Sequence, residues 1–213
     1  MPSILFKTLE GYYRSLPLFV QKHSENVGYY TKIMVDHIMN GKFSEQYSIH
    51  DIPIKENIEL LGRYHDIGKT GISNEIWLST KPLSIEEKKI IKTHTVLGAN
   101  IICNKLLIKN KKIDEADIRI IILKCCLFHH ERWDGNGYPF GLNGKDIPFY
   151  SRVIGIADAY DAMISDRPYH AGIQKEAALQ VIRKEAGKQF DPFLAEVFCN
   201  IFERFSEISR SSS

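Results

Sequence analysis

Histidines on the apolar faces of predicted helices constrain the fold of this chain more than any other feature. His65 follows Leu61 by four residues, and His94 precedes Leu97 by three, so each shares a helical face with apolar neighbours. Such a face packs into a core, and a buried imidazole needs a partner at each ring nitrogen. The sequence therefore predicts a helical core that also holds partners for polar side chains.

Carboxylates accompany these histidines in equally apolar surroundings. Asp66 directly follows His65, Asp158 ends the apolar run 153–157, and the pair His129-His130 ends another apolar stretch. A lone carboxylate in such a helix is costly unless it is ionised against a cation. Any single histidine could instead be a hydrogen-bonded core residue, but divalent metals would satisfy the whole set together.

The pattern favours one all-α domain with its site in the core of a helix bundle. The chain has 213 residues, enough for one well-buried domain, and its periodicity is helical with no repeat and no dividing linker. We expect an N-terminal extension at 1–15, the functional domain at 16–206 and a disordered tail at 207–213.

Capping residues and helix breakers set the predicted helix boundaries. Ser84-Ile-Glu-Glu87 is a capping box, Gly68 ends a helix, and the glycines of 135–148 indicate a long ordered loop. The predicted helices are 16–39, 55–67, 73–78, 84–106, 114–130, 151–165, 174–187 and 192–205.

Charge and cysteine usage exclude several classes of function. The formal net charge of +2 gives no reason to expect a DNA or membrane partner. The apolar stretches are interrupted by charges, and the N-terminus lacks the order of a signal peptide, so we predict a cytoplasmic protein. Four cysteines without a C-x-x-C pair predict free, mostly buried thiols.

Two motifs carry a family resemblance. His65-Asp66-Ile67-Gly68-Lys69 resembles the H-D-x-G-K signature of HD-domain phosphohydrolases, and residues 129–139 closely resemble the H-H-E-x-x-D-G-x-G-Y-P motif of the HD-GYP branch. The shorter motif alone is weak, but the eleven-residue string is very specific. Over 23–192 the chain resembles cyclic di-GMP phosphodiesterases. Further motifs follow in the family's order: Lys81-Pro82-Leu83, His94, Asp158-Ala159-Tyr160-Asp161, Asp166-Arg167-Pro168-Tyr169 and Phe190-Asp191-Pro192.

The resemblance implies a ligand set too large for one ion. Its members are His23, His65, Asp66, His94, His129, His130 and Asp158. We therefore expect two divalent metal ions, with Asp66 as the bridging carboxylate. Nitrogen and oxygen donors without thiolates favour iron or manganese. Some family members have a glutamate four residues before the first histidine that supports a third metal, but here that position is Phe19.

The activity that the resemblance implies is hydrolysis of cyclic di-GMP to linear pGpG by a metal-bridging hydroxide, with Asp66, Lys69 and Asp161 as the catalytic residues. The absence of the third-metal glutamate leaves further hydrolysis to GMP open. We expect Lys69 to hold a phosphate oxygen, a surface lysine being the alternative. Asp161, one turn after Asp158, is expected to orient a ligand or the water, unless it is a helix-surface aspartate.

Substrate contacts are implied for Lys69, Arg167, Tyr138 and His170. Arg167 suits a phosphate or a guanine edge, although an ion pair with Asp166 is the alternative. His170 stands where relatives often carry Lys or Arg, and its weaker charge leaves the second basic contact open. Tyr138 lies in the loop that the family associates with substrate positioning and with diguanylate cyclase (GGDEF) partners.

Other interpretations of the same motifs stay open. The substrate could be another cyclic dinucleotide, such as cyclic GMP-AMP, and the chain could be a non-catalytic dinucleotide-binding or interaction module. A nucleotide monophosphate fits less well, since the complete eleven-residue motif and Arg167 speak for a cyclic dinucleotide. The oligomeric state is also open, with a homodimer among the options.

Overall fold

Helices joined by turns and loops build the described part of this protein. The structure, a computed structural model, describes residues 4–41, 57–79, 81–107, 118–166 and 171–211. Within these ranges there is no β-strand, so the predicted all-α class is confirmed. The helices are α1 (Ile4–Ser15), α2 (Leu18–Asn40), α3 (Glu59–Tyr64), α4 (Asn74–Trp77), α5 (Ile85–Lys92), α6 (His94–Leu107), α7 (Ile118–Phe128), α8 (Phe149–Ile164), α9 (Lys175–Lys184) and α10 (Pro192–Ser211).

Helix α2 packs against α3 and α8, and a close crossing with α3 depends on two glycines. A Cβ on Gly62 would lie 2.2 Å from the Gly28 backbone nitrogen, and a Cβ on Gly28 would lie 2.5 Å from Glu59 O. No larger residue fits at this crossing. It brings His23 of α2 close to His65, which directly follows α3, with 5.7 Å between the ring centroids.

A 3₁₀ turn at Ile67–Gly71 follows α3 and packs against α6. The predicted helix 55–67 is therefore too long at its C-terminal end, because α3 stops at Tyr64; residue 55 lies outside the described ranges. A Cβ on Gly68 would lie only 1.9 Å from His94 O. This close approach places Asp66 beside the N-terminus of α6.

The predicted continuous helix 84–106 is wrong at Thr93, where α5 ends and α6 begins. The capping box at its start is confirmed, with Glu87 N donating to Ser84 Oγ over 3.1 Å. At the break, the His94 imidazole bonds Ile91 O through Nδ1, 2.7 Å away. A side chain of the site thus bonds across the break between α5 and α6.

The sequence pattern predicts no helix before residue 16, and α1 corrects this. Leu9, Tyr13 and Leu16 are buried in the core, at helical spacing. The Tyr13 hydroxyl, which can donate one proton, lies 2.9 Å from Gln21 O and 3.0 Å from Glu25 Oε1. These contacts join α1 to α2.

The C-terminal helices α9 and α10 pack against α8 and complete the core. Tyr160 of α8 packs edge-on against Phe198 of α10, with ring centroids 5.1 Å apart. Asp191 begins α10 as its cap, accepting from the backbone nitrogens of Phe193 and Leu194. The helix continues to Ser211, beyond its predicted end at 205. Across the described ranges, no helix combines the length and apolarity that a membrane span requires.

Candidate metal centre

The seven side chains that the resemblance implies as ligands converge in the core. They come from α2, the turn after α3, the start of α6, the end of α7 and α8. They fall into three overlapping groups, each with its ligand atoms within 4.8 Å of one another: His94, His129 and His130; His23, His65 and Asp66; His65, His129 and Asp158. Residues separated by up to 135 positions in the chain thus share one site.

Backbone carbonyls fix the tautomer of three of these imidazoles. A carbonyl oxygen only accepts, so each Nδ1 that bonds one must carry the ring proton, and each Nε2 is left with a lone pair. The bonds are His65 Nδ1 to Gly62 O (2.6 Å), His94 Nδ1 to Ile91 O (2.7 Å) and His129 Nδ1 to Cys125 O (2.9 Å). This is the arrangement in which metal-ligating histidines are usually held.

The freed Nε2 atoms point at one another rather than at hydrogen-bond donors. His94 Nε2 and His129 Nε2 are 3.3 Å apart, and neither ring has a proton there to share. Burial lowers the pKa of His94, takes the pKa of His129 well below its usual range and lowers the pKa of His130 to about 3. Near neutral pH a proton therefore does not bridge these nitrogens, and they need another cation.

Asp66 lies between the imidazoles and is ionised. Its side chain is 2% exposed; Oδ1 is 3.3 Å from His94 Nε2, and Oδ2 is 3.4 Å from His65 Nε2. Burial alone would raise its pKa, but the charge of Lys69 and the contact with His65 hold the pKa well below the usual range. With one oxygen toward each group of histidines, Asp66 has the geometry of a bridging carboxylate.

His23 is held by carboxylates on both sides of its ring. Its Nδ1 is 2.6 Å from Asp161 Oδ2, and its Nε2 is 3.0 Å from Asp158 Oδ1. Burial works to lower its pKa, but these two carboxylates raise it to about 8. Asn26 completes the chain by donating to Asp161 Oδ1 over 2.8 Å.

The environment of Asp161 decides between the two interpretations of this residue. Its side chain is fully buried and contacts His23 and Asn26, so it is not a helix-surface aspartate. The structure places it where it orients His23. Sequence reasoning missed Asn26, which lies one helical turn from His23 but belongs to no recognised motif.

Three buried polar atoms test whether divalent cations fit this site. His23 Nε2, His65 Nε2 and Asp66 Oδ1 are shielded from solvent and make no well-oriented hydrogen bond, a condition that is rare in native proteins. His65 Nε2 and Asp66 Oδ1 direct lone pairs into the cluster, and His23 Nε2 offers one once its proton is displaced. A cation among them would satisfy all three, so the residues fit a metal centre.

Thiols take no part in the donor set. Cys125 and Cys126 are buried beside the histidines, and burial raises the pKa of both thiols far above the usual range. Cys126 Sγ donates to Tyr64 O over 3.1 Å. The four cysteines are free, as the sequence predicts. The donors at the centre are therefore imidazole nitrogens and carboxylate oxygens.

Lys69 extends from the 3₁₀ turn into the site. Its Nζ lies 2.5 Å from Asp66 Oδ2, and its side chain is 19% exposed. These values exclude the alternative of a solvated surface lysine. Its ammonium group stands at the edge of the cluster, where it can reach an anion bound next to Asp66.

The glycine-rich loop after His130 is fixed by Glu131. The buried Glu131 carboxylate accepts from Phe140 N (2.7 Å) and Leu142 N (3.0 Å) and so holds the far side of the loop. Sequence reasoning missed this role of Glu131. Its burial beside an open glycine-rich loop is a signal that it binds loop amides.

The same loop lays Tyr138 over a member of the cluster. The Tyr138 ring stacks on the His130 ring with 4.8 Å between centroids and 28° between planes. The other predicted substrate contacts, Arg167 and His170, lie outside the described residues, as does His50. His37 is exposed, in agreement with its expected surface position.

A cavity of about 360 Å³ opens from the cluster along the glycine-rich loop. Asp158, His130 and Trp133 form part of its wall. Its other charged lining residues are Lys92, Glu131, Arg132, Arg152 and Asp191. The site is thus a buried donor cluster with an adjoining space for a ligand.

Fold and donor set together define a helical protein with an imidazole–carboxylate centre for divalent metals. Residues 50–194 match the HD domain family. This chain belongs to the HD domain family.

Known relatives agree with this assignment. The chain is 32% identical over 211 residues to a cyclic di-GMP phosphodiesterase of Thermotoga maritima. This alignment covers 97% of this chain and 52% of the relative. It is 36% identical over 155 residues to a cyclic di-GMP phosphodiesterase of Vibrio cholerae, covering 71% of this chain and 31% of that one. The predicted resemblance to this family is confirmed, but the chain spans about half or less of these relatives.

A solved structure shares the fold. Bd1817, described as an HDG"Y"P protein from Bdellovibrio bacteriovorus, superposes with a TM-score of 0.61 over 86% of this chain and 52% of its own. The identity is 17%, so this similarity supports the helical architecture and nothing finer.

Proposed function

We propose that this chain hydrolyses cyclic di-GMP to linear pGpG, using two divalent cations held by the seven converging side chains. The observation that carries the proposal is the pair of facing Nε2 atoms of His94 and His129, 3.3 Å apart, beside the ionised Asp66. Two lone pairs at that distance are stable together only with a cation between or beside them. The similarity to curated cyclic di-GMP phosphodiesterases supports the choice of substrate.

We assign the ligands by their contacts. His94, His129 and His130 would hold one cation, His23, His65 and Asp158 the other, and Asp66 would contribute to both. When bound, divalent cations lower the pKa of a bound water molecule and neutralise the charge on phosphoryl oxygens. Because the donors are nitrogen and oxygen and the nearby thiols are protonated, we propose iron or manganese.

The chain's own residues position the substrate. The Lys69 ammonium, already fixed by Asp66, would donate to a non-bridging oxygen of the phosphate that is cleaved. Asp161 holds the Nδ1 proton of His23 and so keeps its Nε2 directed into the cluster. Arg167 and His170 stay proposed substrate contacts from the sequence.

The glycine-rich loop would form one wall of the substrate site. Glu131 fixes the loop by its two backbone bonds, and Tyr138 then covers His130. A substrate that enters the cavity would pass along the polar edge of this loop. A diguanylate cyclase (GGDEF) partner that docks on the same loop, and a homodimer, stay predictions from the sequence.

The absence of a third-metal ligand supports a single cleavage. Phe19 lies one helical turn before His23 on α2 and packs against the apolar core, and its ring offers no donor atom. We therefore propose pGpG as the main product, and product analysis tells whether GMP also accumulates.

The test is turnover by purified protein loaded with manganese or, anaerobically, with iron. We expect pGpG to accumulate from cyclic di-GMP, and His94→Ala to abolish product formation together with about half of the bound metal. Cyclic GMP-AMP, assayed in parallel, tells whether another cyclic dinucleotide is the better substrate. Binding of cyclic di-GMP with no product in either metal would overturn the proposal in favour of a binding module.

A further inference from the structure

Lys92 stands at the exposed rim of the cavity that contains His130 and Asp158. Its ammonium nitrogen lies 4.9 Å from the centroid of the Tyr138 ring. From this placement we infer that Lys92 binds the second phosphate of a cyclic dinucleotide, the one that is not being cleaved. The inference rests on the proposed function and adds a contact that no motif of the sequence indicates.

Lys92 and His94 both lie at the site, although only Thr93 separates them in the sequence. In a continuous α-helix, residues two apart point about 200° away from each other and do not face the same space. Here α5 ends at Lys92 and α6 begins at His94. Both side chains reach the same region: Lys92 lines the cavity, and the His94 ring lies 5.0 Å from the His130 ring.

The charge of Lys92 is available to a ligand. The other two cationic residues in the cavity wall are neutralised, since Arg132 binds Asp134 and Arg152 binds Asp191. In the part of the chain that the structure describes, no carboxylate lies within 4 Å of Lys92 Nζ. An ammonium over an aromatic face keeps its remaining hydrogens for an anion.

The position of Lys92 suits a substrate with two linked phosphates. Lys92 and His130 both lie against the Tyr138 ring, with the ammonium nitrogen 4.9 Å and the imidazole centroid 4.8 Å from the ring centroid. A cyclic dinucleotide joins its two phosphodiesters in one ring, so when one lies at the candidate metal centre the other is held a fixed distance away. An exposed point charge beside Tyr138, in the wall of the cavity that also contains His130, suits this second phosphate.

The test compares two substrates that differ in phosphate number. For Lys92→Ala we expect the KM for cyclic di-GMP to rise about 10-fold, as for the loss of a charge-assisted hydrogen bond, with kcat nearly unchanged. The calorimetric affinity for pGpG should fall in parallel. Hydrolysis of bis(p-nitrophenyl) phosphate, which has one phosphodiester, should stay within about twofold of the unsubstituted protein.

Two further variants serve as controls. Lys92→Arg should retain most of the affinity, since it retains the charge. Lys89→Ala removes a lysine of the same helix that binds Glu86 on the surface and does not line the cavity, so its KM should not change.

The outcomes separate this inference from the proposed function. If the unsubstituted protein hydrolyses cyclic di-GMP and Lys92→Ala has the same KM, the inference alone is overturned. If Lys92→Ala impairs both substrates equally, or loses metal, Lys92 supports the site structurally and the inference is again overturned. If the unsubstituted protein cleaves only the one-phosphate substrate, the proposed substrate fails and the inference fails with it.

Discussion

Replacing Asp161 by asparagine would test how the chain holds His23. Asp161 Oδ2 lies 2.6 Å from His23 Nδ1, and Oδ1 accepts from Asn26 over 2.8 Å. Asparagine has nearly the same shape and can still accept from His23, while the Asn26 amide can turn to accept from its NH₂ group. Asp161→Asn therefore removes the negative charge with little change in packing.

The expected loss follows from the difference between charged and neutral hydrogen bonds. A bond to a charged group contributes about 1.5–3 kcal/mol and a neutral one about 1 kcal/mol, so the variant loses about 0.5–2 kcal/mol at His23. At about 1.4 kcal/mol per decade, this corresponds to an about 2- to 30-fold weaker metal affinity. Loss of such outer partners generally weakens metal binding by about 10- to 100-fold, a range that overlaps this estimate.

Calorimetric titration of metal-free protein with manganese measures the effect. The titration is best done above pH 8, because the pKa of His23 is raised to about 8 and its proton then no longer competes with the metal. Asp36→Asn is a matched control, since Asp36 pairs with Lys32 on the surface of the same helix. Equal manganese affinity for Asp161→Asn and the unsubstituted protein would refute the role assigned to Asp161.

Three more changes have expected outcomes. In Gly68→Ala, the new Cβ would lie 1.9 Å from His94 O, so we expect the free energy of unfolding to fall by about 1–3 kcal/mol and manganese binding to weaken. Gly11→Ala is the control, because its Cβ would have nothing within 4 Å and should cost no stability. Equal unfolding temperatures for the two would contradict this. In Glu131→Gln, we expect faster hydrogen exchange at the two loop amides that Glu131 accepts from, and exchange at the original rate would show that the charge is dispensable. Manganese affinity should rise about 10-fold per pH unit up to about pH 8 and then level off, because below the raised pKa of His23 the metal must displace its proton; a flat profile would contradict the His23 assignment.

The positions of the ligand candidates could be predicted because they depend on local sequence. His65 and Asp66 stand at the end of an apolar helical face, and His129 follows another, so burial of those faces carries the polar groups inward. All seven candidates lie in the observed cluster. The specific motifs then restricted the chemistry that such a cluster serves.

Other features could not be predicted because they depend on contacts between distant segments. The break at Thr93 accompanies the approach of Gly68 to His94 O, a contact that no helix periodicity contains. Helix α1 is short, and its stability comes from packing of residues such as Tyr13 rather than from its own sequence. At Thr93 tertiary packing overrode the helical pattern of the sequence, and in α1 it stabilised a helix that the sequence pattern does not predict.

The role of Glu131 was missed for a similar reason. Its carboxylate binds amides nine and eleven residues further along the chain, so the pairing depends on the path of the intervening loop. A buried acid next to glycine-rich sequence is the feature by which such a clamp can be sought in other chains.

Anomalous X-ray diffraction from crystals soaked in manganese addresses the shared-cation claim most directly. We expect two anomalous peaks inside the cluster, one among the Nε2 atoms of His94 and His129 and one near those of His23 and His65, with Asp66 between them. A cluster without a peak, or peaks only at surface carboxylates, would contradict the proposed metal centre.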